Sequence, residues 1–246
     1  MVNQYDVAAA NYTEADMTAF RTCVESYSFL RNLGSVAGRS VLDVACGEGF
    51  YSRQFAELGA ARVVAVDASA EMVRHGREAE QAAPLGIEYH VHDAAEMPVL
   101  GEFDLVAATY LLHYAADTDH MRSMCARMVA NLRPGGRFVT LVPNPELDPA
   151  GPGHLKYGFS LDWPSAAADG DEVVLNIPTD PPMALKLRYW SRRTYTEVLA
   201  TGGFSEIEWC PLECAPDAED LYGPGFFDDY LANPHAMIVR AVRPAG

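Results

Sequence analysis

The sequence predicts an α/β protein built on a doubly wound, mostly parallel sheet of seven strands. Short runs rich in β-branched residues alternate with stretches that carry apolar residues at helical spacing, and the runs are apolar almost throughout. Such strands are typical of a parallel sheet that helices cover on both faces. The first five strands are expected at 40–45, 61–67, 87–92, 103–108 and 137–142.

Helical stretches precede and separate these strands. The segments 51–59, 69–80 and 117–132 place apolar residues three and four positions apart. A further amphipathic helix is expected from Glu14 to Leu33, with Gly34 as its left-handed stop.

The pattern changes after Pro143. Residues 143–172 are dense in Pro, Gly and aromatic residues, and the alternating segments 172–178 and 183–190 predict two strands inserted as a flap before the sixth strand of the main sheet. A helix over 194–204 follows, with Thr194 and Glu197 in capping-box register. Strands at 205–213 and 235–242 complete the sheet, and the loop between them favours a hairpin over a helical crossover.

Charge and composition narrow the class of function. The 246 residues include 34 acidic and 18 basic side chains, and the net charge of −16 would repel a nucleic-acid backbone. No basic segment followed by an apolar core opens the sequence, and no apolar run reaches about eighteen residues. Five cysteines without a CxxC pair predict neither a disulfide framework nor a zinc site. We expect a cytoplasmic monomer or homodimer that binds a small molecule, without nucleic acid, membrane or metal.

The loop "VLDVACGEGF" (41–50) carries the strongest functional signal. A Gly-rich turn between a parallel strand and a helix places backbone N–H groups and the positive helix end at the edge of the sheet where ligands bind. Gly47 and Gly49 supply two glycines of a dinucleotide-binding turn, but Ser52 occupies the third position. Asp43, at the end of the strand, would be poorly placed beside a pyrophosphate but could orient the loop or face a cationic ligand.

Two further acids end successive strands. Asp67 closes the second strand, where an acid accepts hydrogen bonds from ribose hydroxyls. Asp93 follows the third strand, where a carboxylate could accept a hydrogen bond from an adenine amino group. Together with Asp43, these acids predict a nucleoside site.

Five ordered blocks resemble those of the class I S-adenosylmethionine-dependent methyltransferases. They are "VLDVACGEG" (41–49), "VVAVDAS" (63–69), "HDAAEM" (92–97), "FDLVAATYLLHY" (103–114) and "LRPGGRF" (132–138). The opening "YDVAAANY" and the phrase "GRSVLDVACGEGFYSRQF" are similar to those of bacterial small-molecule methyltransferases, including the toxoflavin-pathway type. The resemblance covers nearly the whole chain and implies a Rossmann-like methyltransferase fold with S-adenosylmethionine as cofactor.

The resemblance also implies which residues bind the cofactor. The turn at Gly47 and Gly49 would receive the methionine portion, and Asp67 would hold the ribose. Met72 would flank the adenine, while Asp93 and Ala94 would reach its amino edge. Tyr5 and Tyr12 would close over the cofactor as a lid, although two half-buried rings anchoring a terminal helix explain them equally well. The implied set also includes Asp43, Ala45, Cys46, Ala68 and Thr109.

A single domain over residues 1–246 is expected from this resemblance and from the predicted elements. Residues 1–35 would form an N-terminal lid and helix, and 36–143 the cofactor-binding half. An inserted substrate flap would follow at 144–190, and a C-terminal helix and hairpin at 191–246.

His113 and Tyr110 are the candidates for catalysis. His113 follows the fourth strand and could accept the proton of a nucleophile, or could only bond a loop carbonyl. Tyr110 could contact the substrate or the adenine, or only pack. His90 and His92 share one face of a strand, but no third metal ligand follows at a fixed spacing, which favours a structural role.

The segment from Asn144 to Trp190 is the expected entry side for an acceptor, since the cofactor would use the first half of the sheet. Its aromatic residues either line a pocket for a flat ring or form a hydrophobic mini-core beneath the flap. The sequence favours neither interpretation. These residues are His154, Tyr157, Phe159, Trp163, Tyr189 and Trp190.

Three functions are compatible with these patterns. The leading interpretation is in-line transfer of a methyl group from S-adenosylmethionine to nitrogen or oxygen of a small aromatic or heterocyclic metabolite. An NAD-linked oxidoreductase on a related fold would need the missing third glycine. A non-catalytic nucleoside-binding module is the third possibility, because a fold alone does not establish a function.

Overall fold

The computed structural model describes residues 20–245 and contains two sheets. The seven-stranded main sheet consists of β1 (Ser40–Val44), β2 (Arg62–Asp67), β3 (Ile87–Val91), β4 (Phe103–Thr109), β5 (Leu132–Pro143), β9 (Ser205–Cys210) and β10 (Ala236–Val242). The three-stranded sheet consists of β6 (Ser160–Asp162), β7 (Glu172–Ile177) and β8 (Met183–Arg188).

The main sheet has the strand order β3-β2-β1-β4-β5-β10-β9. The first five strands pair in parallel, and β10 is antiparallel to both of its neighbours. This arrangement confirms the predicted doubly wound, mostly parallel sheet. The strand order reverses between β1 and β4, and ligands bind at such a reversal in open α/β sheets.

Helices cover both faces of the main sheet. They are α1 (Tyr27–Leu33), α2 (Phe50–Glu57), α3 (Ala70–Ala82), α4 (Thr118–Asn131), α5 (Arg192–Thr201), α6 (Ala218–Tyr222) and α7 (Asp228–Ala232). Side chains cap α3 and α4 among others, because Ser69 accepts from the N–H of Met72 at 3.2 Å and Asp117 from that of His120 at 2.8 Å. None of the helices among residues 20–245 is long and apolar enough to cross a membrane.

Alternate residues of each central strand point to opposite faces and build two cores. On β1, Val41 packs into the core that contains the N-terminal helix, α2 and the three-stranded sheet, whereas Leu42 packs into the core with α4 and α5. Both side chains are fully buried. This alternation explains the uninterrupted apolar strands, since neither face of the sheet meets solvent.

The N-terminal helix departs from the regular α-helix that the sequence predicts. Within its described part, Arg21–Ser26 form a π-helical turn, which continues into α1 and ends at Gly34 with a φ of 71°. A π-helical turn is rare and is frequently found at functional sites. Glu25 lies within this turn and is only 1 % exposed.

Two other predictions need correction. Helix α5 begins one turn earlier than expected, because Ser191 rather than Thr194 is the N-cap and accepts a hydrogen bond from the Thr194 N–H at 3.2 Å. The connection between β9 and β10 joins antiparallel neighbours, as predicted, but it contains the short helices α6 and α7. Helices of five residues are too short to show a helical period in the sequence.

Candidate functional site

A cavity of about 280 Å³ opens at the carboxyl ends of β1 to β4. Loops that follow these four strands form most of its wall, as expected where the strand order of a parallel sheet reverses. The structure brings together most of the residues that the resemblance implies for the cofactor. Those in the wall are Ala45, Cys46, Gly47, Asp67, Ala68, Met72, Asp93, Ala94 and Thr109.

Asp67 joins two of these loops. Its carboxylate accepts hydrogen bonds from the backbone N–H of Gly47 at 2.9 Å and from that of Ser69 at 2.8 Å. Gly47 has a φ of 57°, and a Cβ at this position would meet no atom within 4 Å. The open space beside Gly47 belongs to the cavity, so its backbone is accessible to a ligand.

Gly49, which is also expected to contact the cofactor, is not among the described residues that line this cavity. It has a φ of 96° and caps α2. A Cβ at this position would lie 2.1 Å from the Tyr89 Oη, so glycine is needed for close packing between helix and strand. In this structure Gly49 shapes the turn that presents Gly47.

Asp43 is likewise not among the described residues that line this cavity, and it is 1 % exposed. Ser52 donates a hydrogen bond of 2.5 Å to its Oδ2, while its Oδ1 has no hydrogen-bond partner among residues 20–245. Burial raises the pKa of Asp43 to about 7, even though the Ser52 hydrogen bond acts in the opposite direction. Asp43 therefore supports the loop from beneath.

Tyr110 stands where β4 leaves the sheet and has a strained backbone. Its φ of 55° is unusual for an aromatic residue, and Ala45 at the end of β1 has a comparable φ of 61°. Such strain costs about 1–3 kcal/mol and is concentrated at functional sites. The Tyr110 hydroxyl donates to the Glu25 Oε2 at 2.8 Å and lies 3.3 Å from the His235 Nε2.

Glu25 is a site residue that the sequence did not predict. Its buried carboxylate accepts hydrogen bonds from Tyr51 at 2.9 Å and from Tyr110 at 2.8 Å, and the Arg21 Nε lies 3.9 Å away. The sequence offers no signal for this role, because one acid in an amphipathic helix is ordinarily a solvated residue.

A second cavity, of about 50 Å³, adjoins the first. Arg21, Glu25, Tyr110 and Tyr114 line both cavities. His113, Pro143 and His235 also line it, and the rest of the wall is mainly aliphatic and comes from the three-stranded sheet and the loop after β6. These wall residues are Leu161, Trp163, Leu175, Ile177, Leu185 and Leu187.

Most aromatic residues of the segment 144–190 do not face this cavity. Tyr157, Phe159 and Trp190 are buried in the two cores, and the His154 Nε2 hydrogen-bonds the Asn233 carbonyl at 2.9 Å. Only Trp163 among the aromatic candidates lines the second cavity within the described part of the chain. The mini-core is therefore the main role of these residues.

His113 lines the second cavity but not the first. It is 1 % exposed, and neither ring nitrogen has a hydrogen-bond partner among the described residues. The alternative bond to a loop carbonyl is thus not present. Burial lowers the pKa of His113 to about 3, so the imidazole is neutral near pH 7.

Some expectations concern other parts of the chain. Tyr5 and Tyr12 lie outside the described residues. His90 and His92 stack with ring centroids 6.1 Å apart, and His92 lines the first cavity. Within residues 20–245, no group of three or more His, Cys, Asp or Glu side chains could hold a metal ion.

Comparison with known proteins gives a consistent family. Residues 41–136 match the family model of a methyltransferase domain. Over 170 residues the chain is 29 % identical to the N-demethylindolmycin N-methyltransferase of Streptomyces griseus. This match covers 68 % of this chain and 70 % of that protein. The chain is therefore similar to the class I S-adenosylmethionine-dependent methyltransferases, in sequence over the matched segments and in fold.

Two further similarities point to the same kind of protein. A ubiquinone biosynthesis O-methyltransferase of Nitrobacter winogradskyi is 32 % identical over 114 residues, which is 46 % of this chain. That match spans 42 % of the relative, less than half of its length. The crystal structure of an S-adenosylmethionine-dependent methyltransferase from Mesorhizobium loti has a TM-score of 0.61 at 24 % identity, covering 93 % of this chain and 98 % of that one.

The first cavity fits S-adenosylmethionine, the cofactor of this class I family. Four acids, Glu25, Glu48, Asp67 and Asp93, line it, whereas Arg21 is the one lysine or arginine in its wall among the described residues. This excess of acids suits a cationic adenosine derivative and disfavours the diphosphate of NAD. The open backbone at Gly47 leaves room for a ligand against the turn.

Proposed function

We propose that the protein transfers the methyl group of S-adenosylmethionine to nitrogen or oxygen of a small aromatic or heterocyclic acceptor bound in the second cavity. The observation that carries this proposal is the junction of the two cavities at Glu25, Tyr110 and Tyr114. A donor in the first cavity and an acceptor in the second would meet there.

The proposed cofactor contacts follow from the wall of the first cavity. Asp67 would hold the ribose hydroxyls, because a carboxylate has lone pairs beyond those that accept from Gly47 and Ser69. Asp93 and Ala94 would face the adenine amino edge, and Met72 would flank the ring. The open backbone at Gly47 would contact the methionine portion. Asp43 would support the loop that carries Gly47 without touching the cofactor.

The second cavity supports a small acceptor. When bound, S-adenosylmethionine supplies a methyl group that is already activated by its sulfonium. The chain's own task is to orient the acceptor and exclude water. Leu175, Leu187 and Tyr110 are among the residues that line this cavity, and its small volume of about 50 Å³ and largely apolar wall suit a small ring.

The named relatives support nitrogen or oxygen as the methylated atom. One carries the name of an N-methyltransferase and the other that of an O-methyltransferase. The shared feature is transfer to a heteroatom, and the proposal extends only this feature to the present chain.

Calorimetry with S-adenosylmethionine tests the cofactor assignment. Asp67→Ala should weaken binding by about 1–3 kcal/mol, because charge-assisted hydrogen bonds to the ribose are lost. Glu78→Gln, which removes an exposed acid on α3, is the matched control and should bind like the wild type. Circular dichroism should show that both variants are folded.

The outcomes of this experiment separate the candidate functions. Unchanged affinity in Asp67→Ala would refute the ribose assignment. A fluorescence change with NADH in place of S-adenosylmethionine would favour the oxidoreductase. The protein can also be incubated with a cell extract and methyl-labelled S-adenosylmethionine. Tight binding of the cofactor without any labelled product would favour the non-catalytic module.

A further inference from the structure

Glu25 connects the two cavities through a chain of buried hydrogen bonds. The Tyr230 hydroxyl lies 2.9 Å from the His235 Nδ1, and the His235 Nε2 lies 3.3 Å from the Tyr110 hydroxyl. The Tyr110 hydroxyl donates to the Glu25 Oε2 at 2.8 Å. The chain runs from α7 through the start of β10 and the end of β4 to the π-helical turn.

The Glu25 carboxylate at the end of this series of hydrogen bonds fixes which group donates at each step. Both Glu25 oxygens accept a hydrogen bond, one from Tyr51 and one from Tyr110, so the Tyr110 proton points to Glu25 and leaves the Tyr110 oxygen as an acceptor. His235 then donates through Nε2 and accepts from Tyr230 through Nδ1, which is the neutral form of its ring. Burial lowers the pKa of His235 to about 3, in agreement with a neutral imidazole. Protons in this chain can move toward Glu25.

The other groups at the junction are poorly suited to accept a proton. Burial raises the pKa of the Tyr51 and Tyr110 phenols well above their ordinary value, so both remain protonated. His113 is neutral, and neither of its ring nitrogens has a hydrogen-bond partner among the described residues. Its two buried, unpartnered ring nitrogens nevertheless line the second cavity and indicate a ligand with a polar group.

We propose that Glu25 is the final proton acceptor of the reaction, that it works through the Tyr110 hydroxyl, and that the acceptor is a small ring bearing an O–H or N–H nucleophile. This inference rests on the proposed methyl transfer. Tyr110, which lines both cavities, is the catalytic residue that touches the nucleophile, and Glu25 is the positioning residue behind it.

The proposed step balances for a phenolic acceptor. The O–H bond of the phenol breaks as its oxygen forms a bond to the methyl carbon, and the carbon–sulfur bond of the sulfonium breaks with its electron pair remaining on sulfur. The phenol proton passes to the Tyr110 oxygen while the Tyr110 proton passes to Glu25. The products are a methyl ether, a neutral thioether and a protonated Glu25.

The experiment compares two probe acceptors of matched size, phenol and pyridine, with methyl-labelled S-adenosylmethionine. Phenol must lose a proton, whereas methylation of the pyridine nitrogen requires no base. In Glu25→Gln, kcat with phenol should fall about 100-fold or more, and turnover of pyridine should persist within a few-fold. Tyr110→Phe should reproduce this selectivity, while the exposed-acid control Glu57→Gln on α2 should behave like the wild type.

Two further readouts separate proton transfer from a structural role. The shape of the pH profile of kcat with phenol should differ between the wild type and Glu25→Gln, whereas the profile with pyridine should stay the same. The titratable groups that face Glu25 are Arg21 on its own turn, Tyr51 on α2, Tyr110 after β4, and Tyr230 with His235 from the C-terminal region. In Glu25→Gln, the affinity for S-adenosylmethionine and that for S-adenosylhomocysteine should change by the same factor relative to the wild type.

Several outcomes would overturn the inference. Equal losses with phenol and pyridine would assign Glu25 a structural role, and a selective loss of S-adenosylmethionine affinity would place its action on the sulfonium. A wild-type protein that binds S-adenosylmethionine but labels neither phenol nor its N–H analogue aniline would refute the acceptor class. If no acceptor from a cell extract is labelled either, the proposed function itself fails.

Discussion

The buried Asp43 predicts an unusual dependence of stability on pH. Its carboxyl lies beneath the loop after β1, is 1 % exposed and receives a hydrogen bond only on Oδ2 from residues 20–245. Burial raises its pKa from 3.8 to about 7. Since the folded-state pKa of this acid lies above the unfolded value, folding favours the protonated form. The resulting stabilisation is complete below about pH 4 and is lost as the pH rises to about 7.

The magnitude follows from linkage. Between the two pKa values the native state binds about one more proton than the unfolded state, which changes the free energy of unfolding by about 1.4 kcal/mol per pH unit. From pH 5 to pH 7 the contribution of Asp43 should fall by about 2 kcal/mol, because the slope is halved at the folded-state pKa. Asp43→Asn cannot ionise, so the stability of the wild type relative to this variant should decrease by that amount.

Urea unfolding of the wild type and Asp43→Asn at pH 5, 6, 7 and 8 measures this difference. Asp104→Asn provides a control of opposite sign, because hydrogen bonds from the Ser40 backbone N–H and hydroxyl lower the pKa of Asp104. The stability of the wild type relative to that variant should increase as the pH rises from acid values. If the difference in the free energy of unfolding between the wild type and Asp43→Asn does not change with pH, Asp43 is not a buried carboxyl with a raised pKa.

Two further predictions concern packing and protonation near the site. Gly49→Ala should lower the free energy of unfolding by about 2–4 kcal/mol, because its φ is 96° and the new Cβ would lie 2.1 Å from the Tyr89 Oη. Adding Tyr89→Phe should recover part of this loss in urea unfolding, and no recovery would contradict the steric explanation. His113 should show no titration in NMR between pH 5 and 8, because its pKa is lowered to about 3. A titration midpoint of His113 near pH 6.5 would show that its ring is not buried as in this structure.

The sequence predicts those features that depend on local patterns. The uninterrupted apolar strands correctly predict a sheet covered on both faces, and strand ends of a parallel sheet necessarily meet at one edge. This is why Asp67 and Gly47, distant in the chain, could be placed in one site. The structure joins them directly by the hydrogen bond from the Gly47 N–H to the Asp67 carboxylate.

The features that sequence reasoning missed depend on distant contacts. Glu25 is a site residue only because Tyr51 and Tyr110 arrive from two other elements. Gly49 was expected to contact the cofactor, but its lack of a side chain is required by Tyr89 on β3. Neither fact is encoded by spacing within one segment, since each depends on the register in which elements pack.

The two cavities have different structural origins, and this separation has a functional consequence. Strand-end loops of the main sheet supply most of the first cavity, whereas the three-stranded sheet supplies much of the second. Under the proposed function, changes at Leu175 or Leu187 would alter the choice of acceptor without replacing a residue of the first cavity. Arg21, Glu25, Tyr110 and Tyr114 are different, because they line both cavities. In the proposed reaction, selection for the acceptor and for the cofactor would meet at these four residues.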